Sequence, residues 1–140
     1  MAKKMKPIKP SKGRKPSIKS LEKKLWDLTK EYVFARDRSR CQKCGKKVSG
    51  SNRHPSHVFS KKNYKYLRYD PLNLKTLCFH CHINWWHLNP VESGLWFKNT
   101  FPERYVYLLR NKHKTINEER RKQGLTLREW YELKIKEIDK

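Results

Sequence analysis

From Ser20 to about Arg38, Leu21, Leu25, Leu28, Tyr32 and Ala35 recur at spacings of three and four residues, which lays one apolar stripe along a helix. Ser20 is its expected N-cap. Beyond it the period is lost. Residues 46–75 hold Gly50, Ser51, Asn52, Pro55 and Pro71 among β-rich pieces around Val58-Phe59 and Tyr64 to Tyr69, a pattern that predicts two short strands joined by a loop. His82 to Leu88 reads as a short helix stopped near Pro90. Thr100-Phe101-Pro102-Glu103 has the form of a capping box with proline in the first turn, opening a helix to about His113. Thr126-Leu127-Arg128-Glu129 is a second capping box, opening a last helix along Trp130, Tyr131 and Ile138, and the polar stretch 114–124 between the two reads as a loose linker. Helices with two short strands make this an α+β chain.

Residues 1–19 stand apart. They carry eight Lys or Arg and no acid, interrupted by Pro7, Pro10, Gly13 and Pro16, and are predicted to be a disordered basic arm. The division expected is that arm, a folded domain over 20–115, and a linker with a C-terminal helix over 116–140. At 140 residues the chain has no room for a large cofactor fold beside a second domain. No apolar run approaches the roughly 20 residues of a membrane-spanning helix. The basic opening is followed by no apolar stretch, so no secretory signal is visible and a cytoplasmic, reducing location is expected.

Charge narrows the partner. Thirty-five Lys and Arg against 13 Asp and Glu leave a net charge of +22, and a small domain so positive is best matched by a polyanion, of which nucleic acid is the commonest. An apolar fraction of 36% also implies a thin core that needs a staple.

The cysteines supply one. Cys41-x-x-Cys44 and Cys78-x-x-Cys81 use all four, and two such turns can place four thiolates tetrahedrally around a structural zinc ion. Disulfides would need an oxidising compartment. The Cys78-Phe79-His80-Cys81-His82 run also fits a c-type haem attachment pattern, but that leaves Cys41 and Cys44 without a role. A zinc ion closed by four thiolates has no open position, so any chemistry must come from other side chains. Five of the six histidines, His54, His57, His80, His82 and His87, fall within or beside the segment the zinc would clamp. His57 lies in the first β-rich piece and His82 directly follows the last cysteine, so the zinc would bring a proton acceptor near a second, ion-binding histidine.

These residues carry a resemblance. Cys-x-x-Cys, Ser56-His57-Val58-Phe59-Ser60, Leu67-Arg68-Tyr69-Asp70-Pro71-Leu72-Asn73-Leu74 and Cys-x-x-Cys-His82 follow one another in the order of the HNH endonucleases. The Ser-His-Val-Phe-Ser and Leu-Arg-Tyr-Asp-Pro-x-Asn elements further resemble the NinG/Rap group of phage recombination nucleases. The resemblance implies a ββα-metal core in which His57 is the general base, Asn73 orders the loop that holds the base, and His82 ligates a catalytic Mg2+ or Mn2+ distinct from the zinc. The position before the base often carries a second metal ligand in this family. Here it is Ser56, a weak donor, so His54 is a candidate replacement. His87 is a further candidate, although five residues beyond His82 it would be turned about 140° round an ideal α-helix.

Arg68, Lys61 and Lys62 are the expected phosphate contacts, with Asp70 as a turn cap or partner of Arg68. Trp85 and Trp86 are adjacent on a short helix and cannot both face one core, which leaves one to stack on unpaired bases. The expectation is therefore a metal-dependent DNA endonuclease acting on branched or recombination DNA in a phage or bacterial cell. A homodimer through the terminal helix would suit a symmetric junction. A non-catalytic, zinc-stapled nucleic-acid binder of ribosomal type has the same size, charge and cysteines, but has no need of His57, Asn73 and His82 at these places.

Overall fold

In the computed structural model, which describes residues 15–139, the first helix α1 runs Ile18–Arg36. The Ser17 hydroxyl, not Ser20, is the N-cap and accepts the Ser20 N–H at 3.0 Å. The first fourteen residues of the expected basic arm lie outside the described residues. The buried row on α1 is Leu21, Leu25, Thr29 and Val33, a strict four-residue spacing, while Tyr32 and Ala35 from the expected stripe are exposed. A four-residue row lies almost along the helix axis, and the last helix, α5 (Leu127–Ile138), packs against it.

The strands are not where β-propensity put them. They are β1, His54–His57, and β2, Leu74–Leu77, paired antiparallel with His54 opposite Leu77 and His57 opposite Leu74. Val58-Phe59 falls just beyond β1, and Tyr64 to Tyr69 contains a 3-10 turn at Lys65–Leu67. The miss has a physical cause: Leu74-Lys75-Thr76-Leu77 is buried on both faces, so it shows none of the alternation that marks a half-exposed strand. Arg36 at the end of α1 fastens this sheet, donating to the carbonyls of Pro71 (2.8 Å) and Leu74 (2.7 Å), while the Asp37 carboxylate accepts the Thr76 N–H at 2.9 Å.

After β2 the chain forms a π-helix, His80–Trp86, then α2 (Pro90–Thr100) and α3 (Pro102–Asn111). Pro90, expected only to stop a helix, also starts one, because proline fits the first helical position. Thr100 forms no capping box: it is the last residue of α2, and α3 has no side-chain cap. The expected loose linker contains α4 (Ile116–Lys122), capped by the Thr115 hydroxyl on the Glu118 N–H and followed by Gly124 at φ +69°. The Thr126–Glu129 capping box on α5 forms as expected.

Two apolar clusters result. One surrounds the cysteines with Leu67, Leu77, Trp86, Phe97 and Leu108; the other joins Leu21 and Leu25 to Trp130, Tyr131 and Ile135, and Tyr66 touches both. Trp130 and Tyr131, expected as a contact for a second copy, are therefore buried within the chain. None of the helices among the described residues is long and apolar enough to cross a membrane.

Candidate functional site

The two cysteine turns meet. The four Sγ atoms lie within 4.8 Å of one another, and the Cys44–Cys78 pair is 3.9 Å apart. Sulfurs at the corners of a tetrahedron of 2.3 Å zinc–sulfur bonds are about 3.8 Å apart, whereas a disulfide requires about 2.05 Å. The backbone N–H groups of Cys44 and Cys81 point at the sulfurs of Cys41 and Cys78, at 3.5 and 3.4 Å. Burial pushes the Cys41 thiol up, but N–H donors from Cys44, Cys78 and Lys43 more than reverse this and bring it to about 7. Burial and the neighbouring sulfurs push the Cys81 thiol up. A set that ionises Cys41 readily and holds protons on Cys44 and Cys81 is one that a dication completes. The residues fit a structural zinc.

Beside this cluster the histidines form a chain. His54 Nδ1 lies 2.8 Å from His82 Nδ1, and His82 Nε2 lies 3.0 Å from His87 Nε2. The tautomers follow from the outermost partner. His54 Nε2 is 2.9 Å from the Ser51 carbonyl, which can only accept, so this nitrogen carries the proton and Nδ1 presents a lone pair. His82 then donates through Nδ1 and accepts through Nε2 from His87. Two nitrogens bound at right angles to one ion are about 3.0 Å apart, so replacing the single proton between His54 and His82 by a cation needs little movement. A backbone carbonyl that fixes the far nitrogen, as Ser51 does, is the usual support of a metal-bound imidazole. Burial first, and then the electrostatic cost of adding a positive charge beside His87, His54, Lys75 and His57, lowers the His82 pKa to about 4, so its ring is neutral. The donors fit a divalent ion. His54 and Ser56 alternate onto the same face of β1, which is how a residue two positions earlier can stand where the weak Ser56 hydroxyl does not.

His87 joins this group because the helix is wider than expected. The His87 N–H bonds the His82 carbonyl five residues back at 3.2 Å, which brings side chains five apart much nearer to one face than an α-helix does. Cys81 and Trp86, also five apart, both face the core. That repeated spacing is the sequence signal that an ideal α-helix hid. His80, the remaining histidine of the turn, is exposed. A haem attachment at Cys78 and Cys81 does not suit this arrangement, since both cysteines face the other pair.

His57 faces the other side of β1. Its ring stacks on Trp26 of α1 with centroids 5.5 Å apart. Nε2 is 3.0 Å from the Arg68 carbonyl, so Nε2 donates and the free lone pair is on Nδ1. Burial, partly offset by that carbonyl and reinforced by Lys61, Lys75 and Arg68, lowers its pKa to about 4. A cleft of about 320 Å³ opens here between Trp26, His57, Lys61, Lys62, Arg68 and Tyr69. Lys61 and Lys62 are exposed. Arg68 is partly committed, with Nε on the Lys61 carbonyl at 3.1 Å and Nη1 at 3.8 Å from Glu22.

Asn73 is fully buried and ties the loop after β1 across itself: Oδ1 accepts the Phe59 N–H at 2.8 Å, and Nδ2 donates to the carbonyls of Phe59 (2.9 Å) and Leu67 (3.2 Å). Asp70 caps the turn at Leu72 N (2.9 Å) and accepts the Tyr107 hydroxyl at 2.5 Å; it makes no ion pair with Arg68 among the described residues. Trp86 is buried, and Trp85 is wedged edge-on against Trp96 with the Lys43 ammonium 4.9 Å over its ring. Neither ring is free for a base. Two residues of this region gave no sequence signal. Trp26 lies off the apolar stripe yet forms the wall behind His57. Lys75 hides in a strand of leucines, fully buried, with its ammonium 2.9 Å from Ser56 Oγ and 3.3 Å over the Trp86 ring, and burial holds its pKa well below the usual value.

No curated protein and no solved structure matches the chain. The family model described as HNH endonuclease matches residues 41–84, a segment that begins at the first zinc-site cysteine, contains His54, His57, Asn73 and His82, and stops short of His87. Within an α+β fold, residues 41–84 are thus similar to the HNH endonuclease family, and at the level of that family this supports nuclease activity on nucleic acid.

Proposed function

We propose that the protein is a metal-dependent DNA endonuclease with His57 as the general base, acting on branched DNA during recombination in a phage or bacterial setting. The observation that carries the reading is the state of His57: a neutral imidazole with Nε2–H spent on the Arg68 carbonyl and Nδ1 without a partner among the described residues, at a lysine-lined cleft. A water held at Nδ1 is positioned to lose its proton as it attacks a phosphodiester. The carbonyl dipole of Arg68 fixes the ring and favours the imidazolium formed in that step. Trp26 behind the ring and the Asn73 hydrogen bonds keep the base from swinging away. Lys61, Lys62 and the free edge of Arg68 hold phosphates.

His54 and His82 are the ligands of the catalytic ion, with His87 orienting His82 or joining it. When bound, a divalent ion supplies Lewis-acid stabilisation of the phosphate and the leaving oxygen. Imidazole donors without a carboxylate suit a transition ion better than Mg2+, so of the two expected ions Mn2+ is preferred. The choice of branched DNA rests on the NinG/Rap resemblance.

The test is cleavage of linear duplex and four-way junction DNA with Mn2+, Mg2+ or chelator, by the native chain and by His57→Ala. Metal-dependent cutting that the variant loses is the expected result. Tight binding with no cutting under any metal would instead identify a zinc-stapled binding protein.

A further inference from the structure

Beyond the cleft lies a larger cavity of about 360 Å³, enclosed by α1, the segment 65–71, α3, α4 and α5. Its walls are aromatic, from Tyr32, Tyr66, Tyr69, Tyr107, Trp130 and Tyr131; Lys65 and Asp70 also line it, as does the Lys134–Glu137 ion pair at 3.5 Å. It adjoins the His57 cleft. Tyr69 lines both, Leu25 and Trp26 are consecutive on α1 with one in each, and Arg68 faces the cleft while Asp70 faces the cavity.

Two features are odd for an ordinary packing fault. Tyr32 presents a large aromatic ring with 49% of its surface exposed. Two of its tyrosines are held in place: the Tyr107 hydroxyl binds Asp70, and the Tyr69 hydroxyl donates to Glu22 at 3.2 Å. The result is a rigid set of flat aromatic faces in a chain of net charge +22, one tyrosine away from a phosphate-binding cleft. Its volume is at the low end of ligand sites, which run from about 300 to 1,000 Å³, so it has room for one flat ring system and not for a peptide helix. Every base has a π-face, and aromatic side chains accept unstacked bases whatever their identity. A paired base would first have to be extruded, at a cost of roughly a few kcal/mol.

We infer that this cavity is a binding site for a single unpaired nucleobase of the DNA strand whose phosphate occupies the His57 cleft. The inference rests on the nuclease reading for its choice of a nucleic-acid strand, and it gives that reading a substrate class: DNA with an unpaired base beside the target phosphate, as at a bulge or a branch point. Lys65 holds a phosphate flanking the unstacked nucleotide, and Tyr69 separates base from target phosphate.

The experiment measures equilibrium binding, without a divalent ion, of the zinc-loaded chain to a duplex bearing one unpaired 2-aminopurine and to a matched duplex of the same sequence. The 2-aminopurine fluorescence is read in the same titration. The expected result is binding to the bulged duplex about 5- to 100-fold tighter than to the matched one, with the fluorescence quenched by stacking. Tyr32→Ala, at an exposed position outside the catalytic machinery, removes most of that advantage and leaves matched-duplex affinity unchanged. Ile116→Trp, which fills the cavity, does the same if thermal unfolding shows it folded. Equal affinity for the two duplexes, or a preference that survives Tyr32→Ala, overturns the inference. Cleavage is scored separately: a base preference without metal-dependent cutting keeps the cavity assignment and removes the nuclease reading, while cutting without a base preference does the reverse.

Discussion

The cysteine cluster and the histidine chain lie side by side on the same short stretch of sequence, yet they are built in different ways. Four sulfurs converge on one point within 4.8 Å, and four soft anionic donors leave a zinc ion no open position. The histidines do not converge. His82 stands in the middle, with one nitrogen toward His54 and the other toward His87, so at most one ring nitrogen from each can meet an ion and the remaining positions are open to water or phosphate. The cysteines close a loop and carry the fold; the histidines sit on that frame with coordination to spare. His57, the base of the proposed reaction, faces the other side of β1 and completes the contrast, because its ring is held by the Arg68 carbonyl and the Trp26 wall.

The sharpest way to break this contrast is Cys78→Ser. A structural zinc contributes about 10–16 kcal/mol in small peptides, comparable to the roughly 5–15 kcal/mol of a whole domain, so the variant should lose its zinc and its cooperative melt together. Metal analysis and circular dichroism read this, and a folded variant with a full zinc equivalent would show that the four cysteines are not one site. His57→Ala is expected to lower cleavage by about 10²–10⁴-fold while DNA affinity and zinc content stay unchanged; retained cleavage would move the base elsewhere.

Calorimetric titration of Mn2+ into the zinc-loaded chain separates the histidines. His54→Ala removes a donor and should abolish measurable uptake at that site. His87→Ala, as loss of an orienting partner, should weaken it by about 10–100-fold. Equal effects would make all three histidines ligands, and no effect of His54→Ala would place the ion elsewhere.

The smallest effect is in pH dependence. The His57 pKa is about 4 in the folded chain against about 6.5 unfolded. Between these values the unfolded state binds more protons, so stability is fully present above about pH 6.5, falls as pH drops, and levels off below about 4. Urea denaturation across that window should therefore show a slope that His57→Gln reduces, by on the order of 2–3 kcal/mol over the whole range. An unchanged slope would mean that His57 is solvated rather than buried.

The legible parts were those whose information is local. Both Cys-x-x-Cys turns, the α5 capping box and the helical period of α1 are short-range patterns, and each has a physical partner within a few residues. The α4 cap, Thr115-x-x-Glu118, was as readable as the α5 one and was hidden by its polar surroundings. Two short strands, the first carrying His57, were legible in the sequence; the place of the second was not, because burial on both faces of β2 erased the alternation that identifies a strand and concealed Lys75 among leucines. Nor was the Arg68 guanidinium's commitment to the Lys61 carbonyl and its approach to Glu22, since Glu22 lies forty-six residues away on α1.

By itself the sequence determined which atoms are present for chemistry: four thiols at metal spacing, His57, Asn73 and His82 in family order, and enough lysine and arginine to bind a polyanion. Only the tertiary structure decided how those atoms face. Cys81 must reach the cysteine cluster and Trp86 must reach the core, five residues apart, and an α-helix would turn one of them away by about 140°. The wider π-helix satisfies both, and by the same step brings His87 to His82. The direction of His57, its tautomer and its neutral charge likewise come from contacts with Trp26 and the Arg68 carbonyl. Donor identity is written residue by residue, whereas donor direction depends on burying side chains that are far apart in sequence.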